Sequence, residues 1–183
     1  MGQDKAAVTL NGRTLLEHAL AALRDVCRDV SILGKFELYG SLAPVYEDIF
    51  PGCGPLGGIH AALANSQTQF NLIIGVDTPF LAPGLLSYLA ERATTSGAVV
   101  TTPEIDDYRQ PLCTVYSLDF LPIAEQALRV GNYKIVPLFP RDRTLVIKES
   151  ELRRFAFAAD MFENLNTPED LERARRRFSG PDT

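Results

Sequence analysis

The chain has 183 residues, 46% hydrophobic and 22% charged, with a formal net charge of −5. That is the size of one ordinary domain, enough to bury a core without disulfides or a structural metal, and the balance excludes disordered and collagen-like classes. Neither an apolar run of about 18 residues nor a basic-then-apolar leader stands in it, so a membrane span and secretion are not expected, and the negative charge argues against a general nucleic-acid binder.

In chain order, Thr14-Leu-Leu-Glu17 reads as a capping box. Leu16, Leu20, Leu23 and Cys27 follow at helical spacing, which predicts a helix over 14–28. Residues 30–33 and 44–47 read as short strands. The loop Pro51-Gly-Cys-Gly-Pro-Leu-Gly-Gly58 comes next, then a helix of about eight residues from Ile59. Residues 70–76 are almost all apolar, the pattern of a strand covered on both faces. A helix over 85–93, strands at 98–101 and 111–116, a helix over 119–130 and a strand at 144–147 follow. Thr167-Pro-Glu-Asp170 opens a last helix, with Thr as N-cap and Pro in the first turn. Alternating strands and helices imply an α/β domain with a mainly parallel sheet and helices on both faces. The domain is expected over 1–178, with a flexible tail at 179–183. Its first helix has no strand ahead of it, although the first strand of a doubly wound sheet is usually central.

Cys27, Cys53 and Cys113 are widely spaced, and His18 and His60 lie far apart, so a zinc site is not expected. The thiols read as buried or incidental ones in a reducing cytoplasm. Asp77 directly follows the most apolar strand, and open sheets bind ligands outside the carboxyl ends of their strands. A carboxylate there suits Mg²⁺, which takes one or two carboxylates plus substrate phosphates; it also suits a turn or helix cap. The loop over 51–58, with Gly54, Pro55, Leu56 and Gly57, allows close backbone approach to a ligand, or is a tight connector. It is not a Walker loop, because no Gly-Lys-Ser/Thr follows. Asp48 ends a strand and suits a base or ribose, or a surface turn. Lys5, near the start of the chain, reads as a solvated lysine when taken alone. Gln110 and Pro111, and Asn164 and Asn166, stand at element ends, where amide side chains often serve as caps.

Taken together, the pieces occur in one order: Met1-Gly-x-Asp-Lys5, Asn11-Gly-x-x-Leu-Leu-Glu-His18, Pro51-Gly-x-Gly-Pro-Leu-Gly-Gly58, Asp77-Thr-Pro-Phe-Leu81, Gln110-Pro-Leu-Cys-x-Val-Tyr116 and Asn164-x-Asn-Thr-Pro-Glu-Asp-Leu171. This combination resembles the molybdenum cofactor guanylyltransferases and, more broadly, the molybdopterin-type nucleotidyltransferases, over nearly the whole chain. The resemblance implies a Rossmann-like fold and a cytoplasmic enzyme that joins GMP from GTP to molybdenum-bound molybdopterin, with Mg²⁺ and release of pyrophosphate. It implies Asp77 as metal ligand and Lys5 as catalytic cation. Asp48, Gly54, Pro55, Leu56 and Gly57 fall on the nucleotide side, Gln110 and Pro111 on the cofactor side, and Asn164 and Asn166 on the cofactor or metal side. Molybdoenzyme-maturation proteins are implied as partners. Leu33 departs from the asparagine common in the family at the end of the second strand. The family also opens with a strand and a Leu-Ala-Gly-Gly-x-Ser-x-Arg loop ahead of the Met-Gly-x-Asp-Lys motif, with which this sequence begins. The chain as given is therefore expected to be less stable and less active than an extended form. The alternatives are a related cytidylyl- or sugar-phosphate nucleotidyltransferase, or a non-catalytic nucleotide-binding member.

Overall fold

The computed structural model describes residues 4–179. Met1 to Gln3 of the first motif and, beyond Ser179, the expected tail lie outside the described residues. A short 3-10 turn at Lys5–Ala7 opens the fold, with Asp4 as its cap. A hairpin follows, β1 (Thr9–Leu10) and β2 (Arg13–Thr14), paired antiparallel. Its two turn residues, Asn11 and Gly12, have φ of 49° and 77°. Positive φ at both positions makes the two-residue turn whose twist matches paired strands. Helix α1 (Leu15–Arg24) starts on the expected capping box: the Glu17 amide donates to Thr14 Oγ1 at 3.1 Å, and the Thr14 amide donates to Glu17 Oε2 at 2.7 Å. It ends four residues short of the expected 28, because the Val26 amide turns back to the Leu23 carbonyl in a tighter final turn.

Then come β3 (Ile32–Leu33), α2 (Phe36–Tyr39), β4 (Val45–Tyr46), α3 (Pro55–Asn65), β5 (Phe70–Ile74), α4 (Pro83–Ser96), β6 (Val100–Ile105), β7 (Tyr108–Arg109), β8 (Cys113–Ser117), α5 (Leu121–Arg129), β9 (Thr144–Lys148), α6 (Glu149–Arg154) and α7 (Pro168–Ser179). Strands β3 and β4 pair in parallel as a small separate sheet. The larger sheet runs β5-β8-β6, with β7 continuing the β8 edge of β6 and β9 on its other edge. The sheet is mixed rather than mainly parallel: β8 is antiparallel to both β5 and β6, and only β9 runs parallel to β6. The reason is loop length. A parallel return needs a crossover of a dozen or more residues, whereas β6 reaches β8 through the Asp106-Asp107 turn, β7 and a short bend. Both aspartates have positive φ, 47° and 63°.

Alternate residues of each strand enter different cores, as the two-residue period requires. Tyr116 and Ile73 pack with Leu56, Ile59 and Leu63 of α3 and with Ala124 and Leu128 of α5. Cys113, Val115, Leu72 and Ile74 pack with Leu85, Leu86 and Leu89 of α4 and with Leu152 of α6. Helices therefore cover both faces, as expected. Each fully buried leucine contributes about 1.5–3 kcal/mol relative to exposure. Residues of β5 are only partly buried, because among the described residues β5 is paired on one side alone. Among the described residues no helix is long and apolar enough to cross a membrane.

Thr14→Ala removes the α1 cap and is expected to cost about 1 kcal/mol in urea unfolding. The Thr14 amide and hydroxyl hold the Glu17 carboxyl below its ordinary value of 4.5. A lowered folded-state value stabilises above the unfolded pKa and fades as pH falls through the folded one. The stability gap between the native protein and Glu17→Gln is therefore expected to be full at neutral pH and to close below 4.5.

Candidate active site

The end of β5 is the first anchor. The Gly75 amide donates to the Leu112 carbonyl at 2.8 Å, which extends the β5–β8 ladder by one step. The chain then turns, with Thr78 Oγ1 donating to the Gly75 carbonyl at 3.1 Å. The Asp77 carboxylate folds back over Gly75. A Cβ on Gly75 would lie 2.7 Å from Asp77 Oδ1 and 3.5 Å from Leu112 Cβ, so a side chain there would turn the Asp77 carboxylate aside. Helix α4 starts at Pro83 with Ala82 as N-cap, so Asp77 is not its cap.

Asp77 instead faces Lys5. The ammonium lies 3.4 Å from Asp77 Oδ2 and 2.5 Å from Asn166 Oδ1. Three elements far apart in sequence thus meet on one cation. Apolar packing brings them there. Leu10 and Leu15 are buried with Leu165 and Ala174, which seats the opening hairpin against the approach to α7. The Leu165 amide donates to the Asp77 carbonyl at 2.8 Å, tying that approach to the end of β5. Phe178 stacks on Phe80 with centroids 5.4 Å apart and touches the His18 ring at 5.2 Å. His18 also bonds the Leu10 carbonyl through Nε2 at 2.8 Å, so its role is packing.

Asn166 keeps its side chain free for Lys5 because Asp170 caps the helix. Asp170 Oδ2 accepts the Asn166 and Thr167 amides at 3.0 and 2.9 Å, and Thr167 Oγ1 accepts the Asp170 amide at 3.1 Å. The Asn166 amide foremost, then Thr167, holds the Asp170 carboxyl below its ordinary range. Asn164 is exposed two residues earlier.

A second corner lies at the start of α3. Gly54 has φ of 63°, a left-handed conformation that suits glycine, and Pro55 occupies the first turn. The helix thus begins four residues before the expected Ile59, and the expected loop over 51–58 ends at Gly54. Proline is well suited to a first helical position because its missing N–H has no intrahelical partner there. Leu56 is fully buried and anchors the turn. The Asp48 carboxylate lies against this turn, 3.7 Å from where a Gly57 Cβ would stand and 3.9 Å from that of Gly58. Burial pushes the Asp48 carboxyl up. Asp48 and residues 54–57 therefore share one corner, where Pro55 has no N–H and the Gly57 amide donates to the Gly54 carbonyl at 3.0 Å.

Gln110 and Pro111 border the first corner through Leu112, but their polar groups serve the local turn. Gln110 Nε2 donates to the Tyr108 carbonyl at 3.1 Å, and the Pro111 carbonyl accepts the Tyr116 hydroxyl at 2.8 Å. His60 is buried edge-on to Phe50 at 5.0 Å, and burial pushes its imidazole pKa down. It is a core residue. Among the described residues no cluster of three His, Cys, Asp or Glu side chains suits a metal. What the first corner offers a cation is one carboxylate and one amide oxygen, already holding an ammonium, and that set fits Mg²⁺ completed by phosphates. Gly75 is the site residue that sequence reasoning missed; a glycine two positions before a strand-end aspartate was its only signal.

Gly75→Ala is expected to keep the fold with little loss of stability and to push the Asp77 carboxylate off Lys5. A changed Asp77 carboxyl carbon shift by NMR, with an otherwise native spectrum, checks this.

Known proteins resemble this chain in sequence and fold. The family model of the MobA-like NTP transferase domain matches residues 1–141. A probable molybdenum cofactor guanylyltransferase from Pelotomaculum thermopropionicum is 34% identical over 177 residues, 96% of this chain and 85% of that one. The crystal structure of molybdopterin-guanine dinucleotide biosynthesis protein A from Archaeoglobus fulgidus superposes with a TM-score of 0.84 at 28% identity, covering 97% of this chain and 92% of that one. The 2-C-methyl-D-erythritol 4-phosphate cytidylyltransferase from Thermus thermophilus, at 20% identity and a TM-score of 0.70 over 93% and 92% of the two chains, shares the fold. With motif order, fold and sequence likeness in agreement, the chain belongs to the MobA-like NTP transferases.

Proposed function

We propose that this chain transfers GMP from GTP to molybdenum-bound molybdopterin and releases pyrophosphate. The observation that carries this is the Lys5 ammonium held between Asp77 and Asn166 at the carboxyl end of β5. The names of the relatives with which it shares about a third of its sequence support the choice of substrates. In the step, a terminal phosphate oxygen of molybdopterin bonds to the α-phosphorus of GTP, and the bond from that phosphorus to the bridging oxygen of pyrophosphate breaks. Negative charge builds on the phosphoryl oxygens, so positioning and electrostatic stabilisation dominate.

Lys5 sits where that charge would form. Asp77 and Asn166 are the residues that would hold Mg²⁺, which supplies charge neutralisation at phosphate when bound. Asp48, with Gly54 to Gly57 at the start of α3, is assigned to the nucleotide: the carboxylate accepts from base or ribose, and the helix end faces phosphate. Gln110, Pro111, Asn164 and Asn166 are assigned to the molybdopterin side. The cytidylyltransferase likeness extends to fold alone, so base choice is tested directly.

Pyrophosphate release is measured with GTP or CTP in the presence of molybdenum-loaded molybdopterin and Mg²⁺. Turnover with GTP and not CTP is expected. Release with CTP alone, or GTP binding without release, overturns the assignment. Asp77→Ala is expected to lower turnover by several orders of magnitude with the fold intact. Lys5→Gln, which keeps length and removes charge, is expected to lower kcat about 10²–10³-fold, the loss typical of one electrostatic stabiliser.

A further inference from the structure

We infer that Tyr39 is a positioning residue for Lys5: by hydrogen bonding to Asp4 it fixes the turn that aims the Lys5 ammonium at the end of β5. The inference rests on the reading of Lys5 as the cation that stabilises the reacting phosphates.

Lys5 begins a three-residue 3-10 turn. Such a turn has poor hydrogen-bond geometry and little stability of its own. Asp4 supports it with both oxygens. Oδ1 accepts the Ala6 amide at 3.1 Å, and Oδ2 accepts the Tyr39 hydroxyl. Asp4 is exposed, so without the second bond only the Ala6 amide restrains its carboxylate against water. The Tyr39 bond removes that freedom and keeps Oδ1 on Ala6.

Tyr39 is itself well placed to act as the fixed point. Its ring packs on the cluster of Ala6, Leu16, Leu20 and Ile32, the same cluster that seats the Lys5 turn. The ring lies over Gly34, where a Cβ would come within 3.1 Å of it. The Gly34 amide is in turn bonded to the Tyr46 carbonyl at 3.0 Å, beyond the β3–β4 pair. A path of contact therefore runs from the small sheet through Gly34, Tyr39 and Asp4 to Lys5. Burial foremost, then Asp4, pushes the Tyr39 hydroxyl up to about 12, so it stays protonated and remains the donor at neutral pH. Lysine has a flexible four-carbon stem, and its ammonium can be held at one place only if its backbone is held first.

The test compares Tyr39→Phe, Lys5→Gln and the double variant of the full chain. Tyr39→Phe is expected to lower kcat about ten- to a hundredfold, the scale of a misplaced catalytic group, with KM for GTP and the melting temperature little changed. In the Lys5→Gln background the same substitution is expected to cost nothing further. Gly34→Ala, which displaces the ring and keeps the hydroxyl, is expected to give the same pattern. Hydrogen exchange at the Ala6 amide is expected to quicken in Tyr39→Phe, a readout independent of turnover. An unchanged kcat in Tyr39→Phe beside a slow Lys5→Gln overturns the inference alone. An equal loss in both backgrounds also overturns it, since that is the mark of a structural effect. A Lys5→Gln enzyme of full rate overturns the reading of Lys5 and the inference with it.

Discussion

A single ammonium lodged between a carboxylate and an amide oxygen joins the beginning, the middle and the end of this chain. At 3.4 Å, with an effective dielectric near 20, the bare attraction of Lys5 and Asp77 is roughly 5 kcal/mol. The Lys5 side chain is 36% exposed, and pairs this open to water return only roughly 0–1 kcal/mol after desolvation, side-chain entropy and salt. The contact therefore does not hold the fold together. The fold holds the contact, through the burial of Leu10, Leu15, Leu165 and Ala174 and the clamp of Phe178 on Phe80.

That arrangement suits a protein whose overall charge is −5 and whose proposed substrates are polyanions. Attraction must be local, since the whole molecule repels. Lys5 provides that attraction as a full positive charge. Asp77 and Asp48, one in each corner, are the counterweights. The mixed sheet places the first corner at the end of β5, and the second lies between α3 and the segment after β4 of the small sheet.

Much of this is legible in the residues. The Thr14–Glu17 cap, the apolar strand ahead of Asp77 and the final Thr167-Pro168 helix start obey local rules and stand where those rules put them. The Asn11-Gly12 hairpin carries an equally plain turn signal, although its strands are only two residues each and too short to show a period. The start of α3 is hidden because Gly57 and Gly58 look like loop residues; tertiary packing against Phe50 and Asp48 overrides their poor helix propensity. Strand direction is not legible, since periodicity reports a strand's faces and not its sense. Nor is the meeting of Lys5 with Asn166, 161 positions apart, which only folding creates.

The joint at Lys5 also couples the opening turn and the approach to α7 to the candidate site. A cation or phosphate that competes for Asp77 or for the Lys5 ammonium withdraws the contact linking residue 5 to residue 166. Linkage works in both directions. Whatever stiffens the approach to α7 raises the order of the opening turn, and occupancy of the site shifts that coupling by no more than the roughly 0–1 kcal/mol of the exposed contact. The protein's periphery is in this sense a gauge of its centre.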